Sequence, residues 1–233
     1  MSGRVLVSLA AASVWLLTAA CIASANSQSY RYLTSSCCTL QGVRSTALTP
    51  NSQEAIILPV DWEITAVQAN DGGAPAQNLL QAGAVFEYAA PQDPSCNLGS
   101  STPTLYYFIE KEVGGLYLCY QQGALAWSHT DLYSVVRGSD GIWRAYINSN
   151  YKGISVSWSN CGGNACLISA LGEKRTTNSG YWPAKFAGSG NIGWQRWTGS
   201  TWSTIQQYQQ HPEPNWTWSG PFPTGIWSTT YSK

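Results

Sequence analysis

No stretch after Ala25 keeps a helical period; what repeats is alternation of apolar and polar residues, a pattern that suits strands. Residues 55–67 are the clearest case: Val60, Trp62, Ile64 and Ala66 alternate with Asp61, Glu63 and Thr65. With a period of two, one face of such a run goes to a core and the other to solvent or to a site. Further short runs fall at 79–88, 104–113, 116–121, 143–148, 153–158, 165–173 and 191–197. Gly114-Gly115 and Asn148-Ser149-Asn150 each sit between two of these runs, so both flanking pairs are expected to be hairpins. Turn-rich clusters at 70–73, 91–103, 139–141, 159–164 and 176–180 divide the rest. Many short strands with this punctuation predict an all-β chain, an antiparallel β-sandwich of the jelly-roll or concanavalin-like kind over 26–205. Residues 206–233, rich in Gln, Pro, Trp and Ser, are expected as a C-terminal tail packed on that domain.

The N-terminus is built differently. One charge, Arg4, precedes an uncharged apolar stretch over 5–22, and Ala23-Ser24-Ala25 has the small-x-small pattern of a cleavage site. Residues 1–25 are read as a signal peptide, with Asn26 as the mature N-terminus and a secreted product. A membrane anchor fits less well, because Ser8, Ser13 and Thr18 dilute the run and no basic cluster follows it. Leu17-Thr18-Ala19-Ala20-Cys21 also resembles a bacterial lipobox, which would leave a lipidated Cys21 and anchor the domain to the outer face of the cell membrane. Of the 7 cysteines, setting Cys21 aside leaves Cys37, Cys38, Cys96, Cys119, Cys161 and Cys166, an even set suited to an oxidising compartment. A Gly-rich loop joins Cys161 to Cys166, so disulfide reinforcement is expected there, with the other pairings open. No histidine or second close cysteine pair accompanies it, which argues against zinc.

Composition excludes several functions. Charged residues make up 10% of the chain and form no basic stripe, so nucleic acid is not an expected partner. Abundant aromatics, 12 Trp and 13 Tyr, supply ample apolar surface for an ordered core. A Ser-His-Asp triad would need His129, in Trp127-Ser128-His129-Thr130-Asp131, where a lone loop histidine is more simply structural. No nucleophile elbow, phosphate loop or metal motif appears, so no metal and no cofactor are expected. Glu110 and Glu112 stand at i and i+2 and would share a strand face, as paired glycosidase carboxylates would. A solvated hairpin end beside Gly114-Gly115 is the plainer reading.

Two segments are unusual. In Leu79-Leu80-Gln81-Ala82-Gly83-Ala84-Val85-Phe86 an amide interrupts an apolar strand and must find partners or a cleft, and Gly83 is read as clearing space beside it. In Leu167-Ile168-Ser169-Ala170-Leu171-Gly172-Glu173 a carboxylate ends an apolar strand, again beside a glycine. Taken in order, these segments resemble the glutamic peptidases, the fungal eqolisins and the plant neprosin family. Leu79-Leu80-Gln81-Ala82-Gly83 is similar to the eqolisin catalytic-glutamine context, Gly172-Glu173 to the second neprosin glutamate, and Ala187-Gly188-Ser189-Gly190 to a later neprosin turn. The likeness runs over roughly residues 56–197, though Lys174 and Arg175 stand where eqolisins carry an acid. It implies a secreted, monomeric endopeptidase that hydrolyses a polypeptide substrate at acidic pH without a cofactor. Glu173 would be its general base, and Gln81 the amide that polarises the peptide carbonyl. The alternative is a non-catalytic carbohydrate- or peptide-binding module, with rings such as Tyr107, Trp158 and Trp182 as a glycan platform. Tyr106, Trp127 and Trp143 are the expected substrate contacts.

Overall fold

The computed structural model describes residues 26–35, 39–51, 62–71, 78–87, 104–114, 116–175, 181–186, 193–211, 213–220 and 227–232. In chain order its strands are β1 (Asn26–Thr34), β2 (Gly42–Leu48), β3 (Trp62–Asn70), β4 (Asn78–Glu87), β5 (Thr104–Val113), β6 (Leu116–Ala124), β7 (Thr130–Arg137) and β8 (Trp143–Ile147). There follow β9 (Asn150–Val156), β10 (Leu167–Arg175), β11 (Tyr181–Phe186), β12 (Gln195–Trp197), β13 (Trp202–Thr204), β14 (Gln209–His211), β15 (Trp216–Ser219) and β16 (Trp227–Ser232). One sheet runs β14-β1-β10-β3-β4-β5-β6; the other runs β15-β16-β11-β2-β7-β8-β9, with β12 beside β2 and β13 beside β12. The ladders are antiparallel, and the two sheets face each other as a sandwich.

Both hairpins form. β5 turns into β6 at Gly114, and β8 into β9 across Asn148 and Ser149, whose φ values of 51° and 65° suit a two-residue type I′ turn. Residues 55–61 of the alternating run fall outside the described residues; the remainder is β3. Residues 206–233 supply β14 to the edge of the first sheet and β15 and β16 to the edge of the second.

The core follows from alternation. Val67, Ala69, Leu80, Ala82, Ala84 and Phe86 of the first sheet face Val43, Ala47, Tyr133, Val135 and Ala145 of the second. The alanines leave room that indoles fill at near-crystalline density. Trp182 crosses between the sheets, its Nε1 donating to the Ile64 carbonyl and to Thr65 Oγ1, each at 3.1 Å. Trp143 belongs to this core as well, which corrects its reading as a substrate contact. It is 0% exposed, stacks on buried Trp158 at 4.7 Å, and donates from Nε1 to the Gly163 carbonyl at 2.8 Å. Trp127 packs half-buried against the same core, edge-on to Phe86 with ring centroids 4.9 Å apart. Trp143→Ala should therefore lower stability by about 3–5 kcal/mol in a denaturant titration. A loss below about 1 kcal/mol would contradict its place in the core.

Candidate functional site

The first sheet turns its other face away from this core, and register sorts that face into levels. At one level stand Tyr32 (β1), Ser169 (β10), Gln68 (β3), Gln81 (β4) and Glu110 (β5). The next level holds Leu171, Ala66, Gly83 and Phe108, and the one beyond it Glu173, Ile64, Val85 and Tyr106. Ile64, Ala66, Val85, Phe108 and Leu171 form a second buried apolar cluster, with Tyr106 packed against it. A polar band thus runs beside an apolar band. Of the three aromatic residues expected to meet substrate, Tyr106 alone lies here.

Gln81 is the unusual group of the polar band. It is 3% exposed, and its Oε1 is buried without a hydrogen-bond partner. Such an atom costs about 1–3 kcal/mol to bury, so the position is not one that stability selects. Its cross-strand neighbour is Glu110, and directly opposed side chains in an antiparallel pair have Cβ atoms about 5 Å apart. Glu112, two residues on along the same face, is 6% exposed. The solvated-hairpin reading of this pair is therefore corrected: Glu112 is buried and Glu110 half-buried.

Gly83 has a structural cause different from the one read in the sequence. A Cβ there would fall 2.1 Å from the Thr65 carbonyl oxygen and 2.7 Å from Ala66 Cα. The glycine lets the backbone of β3 come close to β4 rather than clearing space beside the amide. Gly172 likewise answers to packing, since a Cβ there would meet Trp216, Ala184 and Thr229 at 2.8–2.9 Å.

Glu173 lies on the same face as Gln81 but not at its level. β3 separates their strands, and Glu173 is opposite Ile64, while Gln81 is opposite Gln68, four residues along. Four residues span about 13 Å and two strand spacings about 10 Å, so the Cα atoms are roughly 16 Å apart. The apolar cluster lies between them. A general base must reach its proton directly or through one water, and this separation does not let both side chains serve one peptide bond. Glu173 is 6% exposed.

His129 is held in a structural arrangement. Its Nδ1 lies 2.8 Å from Asp131 Oδ2, and Asp131 Oδ1 accepts from Asn148 Nδ2 at 2.6 Å. Asn148 Oδ1 accepts from the Leu132 N–H at 2.8 Å, so the cluster anchors the β8–β9 turn on β7. Among the described residues no group of three or more His, Cys, Asp or Glu side chains is placed to hold a metal ion.

Sequence reading passed over Gln68 and Ser169, which complete the polar band. The signal was present at Gln68, an amide between Val67 and Ala69, the same anomaly that marks Gln81.

The fold is that of the glutamic peptidases. The chain aligns with Scytalido-glutamic peptidase, solved with a peptide-based transition-state analog, at a TM-score of 0.53 and 14% identity, over 88% of this chain and 98% of that one. It aligns equally with SCP-B, a member of the eqolisin family of peptidases in complex with the tripeptide Ala-Ile-His, at a TM-score of 0.53 and 15% identity, over 88% and 97% of the two chains. At such identity the likeness is one of fold. No protein-family model matches the sequence, and no curated relative does.

Proposed function

We propose that the chain is an exported glutamic-type endopeptidase that lays an extended polypeptide across the outward face of the first sheet and cleaves it at acidic pH. The observation that carries this reading is Gln81: a buried amide with an unpartnered acceptor, beside the carboxylate of Glu110. Ionised Glu110 takes a proton from water as the water oxygen bonds to the peptide carbonyl carbon. Protonated, it then gives that proton to the nitrogen as the C–N bond breaks. Gln81 Oε1 accepts the second O–H of the water and Nε2 donates to the developing oxyanion, a contribution of about 3 kcal/mol for one such donor. Register favours Glu110 over Glu173 as the base. Purified mature protein should cleave an unfolded protein at about pH 3–5, where a carboxyl group can serve first as base and then as acid. Absence of cleavage by the unaltered chain would end the peptidase reading.

Export belongs to the same proposal. A disulfide at Cys166 would support it, since such bonds persist in oxidising compartments. Its expected partner, Cys161, has a side chain outside the described residues. Mass spectrometry of the mature chain should find Asn26 as a free N-terminus. An acylated Cys21 would show instead that the domain is tethered.

A further inference from the structure

The second sheet has an outward face of its own, on the opposite side of the sandwich from Gln81, and Arg44 stands in its middle. Register across β12, β2, β7 and β8 puts Gln195, Arg44, Ser134 and Tyr146 in one row. Trp197 lies over Gly42, where a Cβ would fall 2.9 Å from the Trp197 Cβ; the absence of a side chain lets the indole approach the sheet. Trp202, paired with Trp197 across β12 and β13, holds the Arg44 guanidinium 4.2 Å from its ring centroid. Arg44 Nε donates to Gln195 Oε1 at 2.8 Å, which fixes the head of the side chain. Among the described residues no carboxylate pairs with Arg44. Burial pushes its pKa down, as expected of a partly desolvated cation lacking a counter-charge. Arg44, Ser134, Val136, Tyr146, Trp197 and Trp202 are among the residues lining a groove of about 250 Å³.

We propose that this groove binds a uronic acid residue of an acidic polysaccharide, with the carboxylate on Arg44 and the sugar ring against the indoles. A guanidinium fork matches a carboxylate in shape and charge. Indole faces are apolar platforms suited to the C–H face of a pyranose, and the hydroxyls of Ser134 and Tyr146 suit those of a sugar. The volume lies below that of drug-sized pockets, which suits a single ring. A peptide is the poorer occupant. β2 and β7 are interior strands with ladder partners on both sides, so their main chain has nothing to offer a peptide backbone. This inference does not rest on the peptidase reading.

The test is titration of the intact protein at neutral pH with trigalacturonic acid and, separately, with its methyl ester, followed by calorimetry or tryptophan fluorescence. The acid should bind about tenfold tighter than the ester, the effect of one charge-assisted hydrogen bond, and added salt should narrow the difference. Arg44→Gln should abolish the preference, while Gln81→Ala leaves it unchanged. Where Arg44→Gln does not fold, Arg44→Lys keeps the charge without the fork and should lower the preference severalfold. Equal binding of acid and ester, binding of neither, or an unaltered preference in the Arg44 variants would overturn the proposal.

Discussion

Replacing Gln81 by alanine should slow acid proteolysis by about 10²–10³-fold, the loss that follows removal of one donor to an oxyanion. Glu110→Gln should cost at least as much, because the isosteric amide cannot take a proton from water. Glu173→Gln should leave the rate within about threefold, since at roughly 16 Å that carboxylate is out of reach of a carbonyl seated at Gln81. Single-turnover measurements would place the first two losses in the chemical step rather than in binding. The pattern is specific. Loss of activity in Glu173→Gln with retention in Glu110→Gln would return the base to Glu173 and show that β3 does not separate the two strands as the register has it. Retention in Gln81→Ala would remove this face of the sheet from catalysis altogether.

Gly83→Ala should destabilise the protein by at least about 3 kcal/mol, the upper range for overpacking. The added methyl would sit 2.1 Å from a carbonyl oxygen and 2.7 Å from a Cα, both on β3. Neither can swing aside as a side-chain tip would. β3 also pairs along its length with β10, so relief at Gly83 would strain a second ladder. Equilibrium unfolding in guanidinium would show a lower midpoint with the slope unchanged. A variant within about 1 kcal/mol of the parent would mean that β3 is not held so close to β4.

The two predictions depend on different kinds of information, and the sequence carried them unequally. β4, β5 and β6 were legible because apolar and aromatic residues dominate their runs and Gly114-Gly115 marks the turn between β5 and β6. β2 was not, because Arg44, Ser45 and Thr46 break the alternation of a strand whose residues are mostly buried. β11 was hidden by Pro183. The proline is tolerated because β2 pairs with β11 only at Lys185 and Phe186. β13 to β15 are three or four residues each and largely polar, too short for a period to register. The site divides in the same way. A glutamine inside an apolar run is a local anomaly, so Gln81 stood out. Its level relative to a carboxylate is set by register through an intervening strand, which no local pattern encodes. The role of Trp143 was lost for a related reason: residue type says that an indole is large and apolar, not which side of a sheet covers it.

The pairing of β1 has a consequence for when this chain can fold. β1 opens the domain, yet its partners are β10 and β14, with Asn26 opposite Arg175 and Tyr30 opposite His211. The second sheet likewise waits for β16 to cover β11. A nascent chain therefore carries an unsatisfied first strand until nearly all of its residues have been made, and closing loops of that length makes folding slow. On the proposed export route such lateness would be useful: the topology itself would keep the chain loose until its end had passed through the membrane.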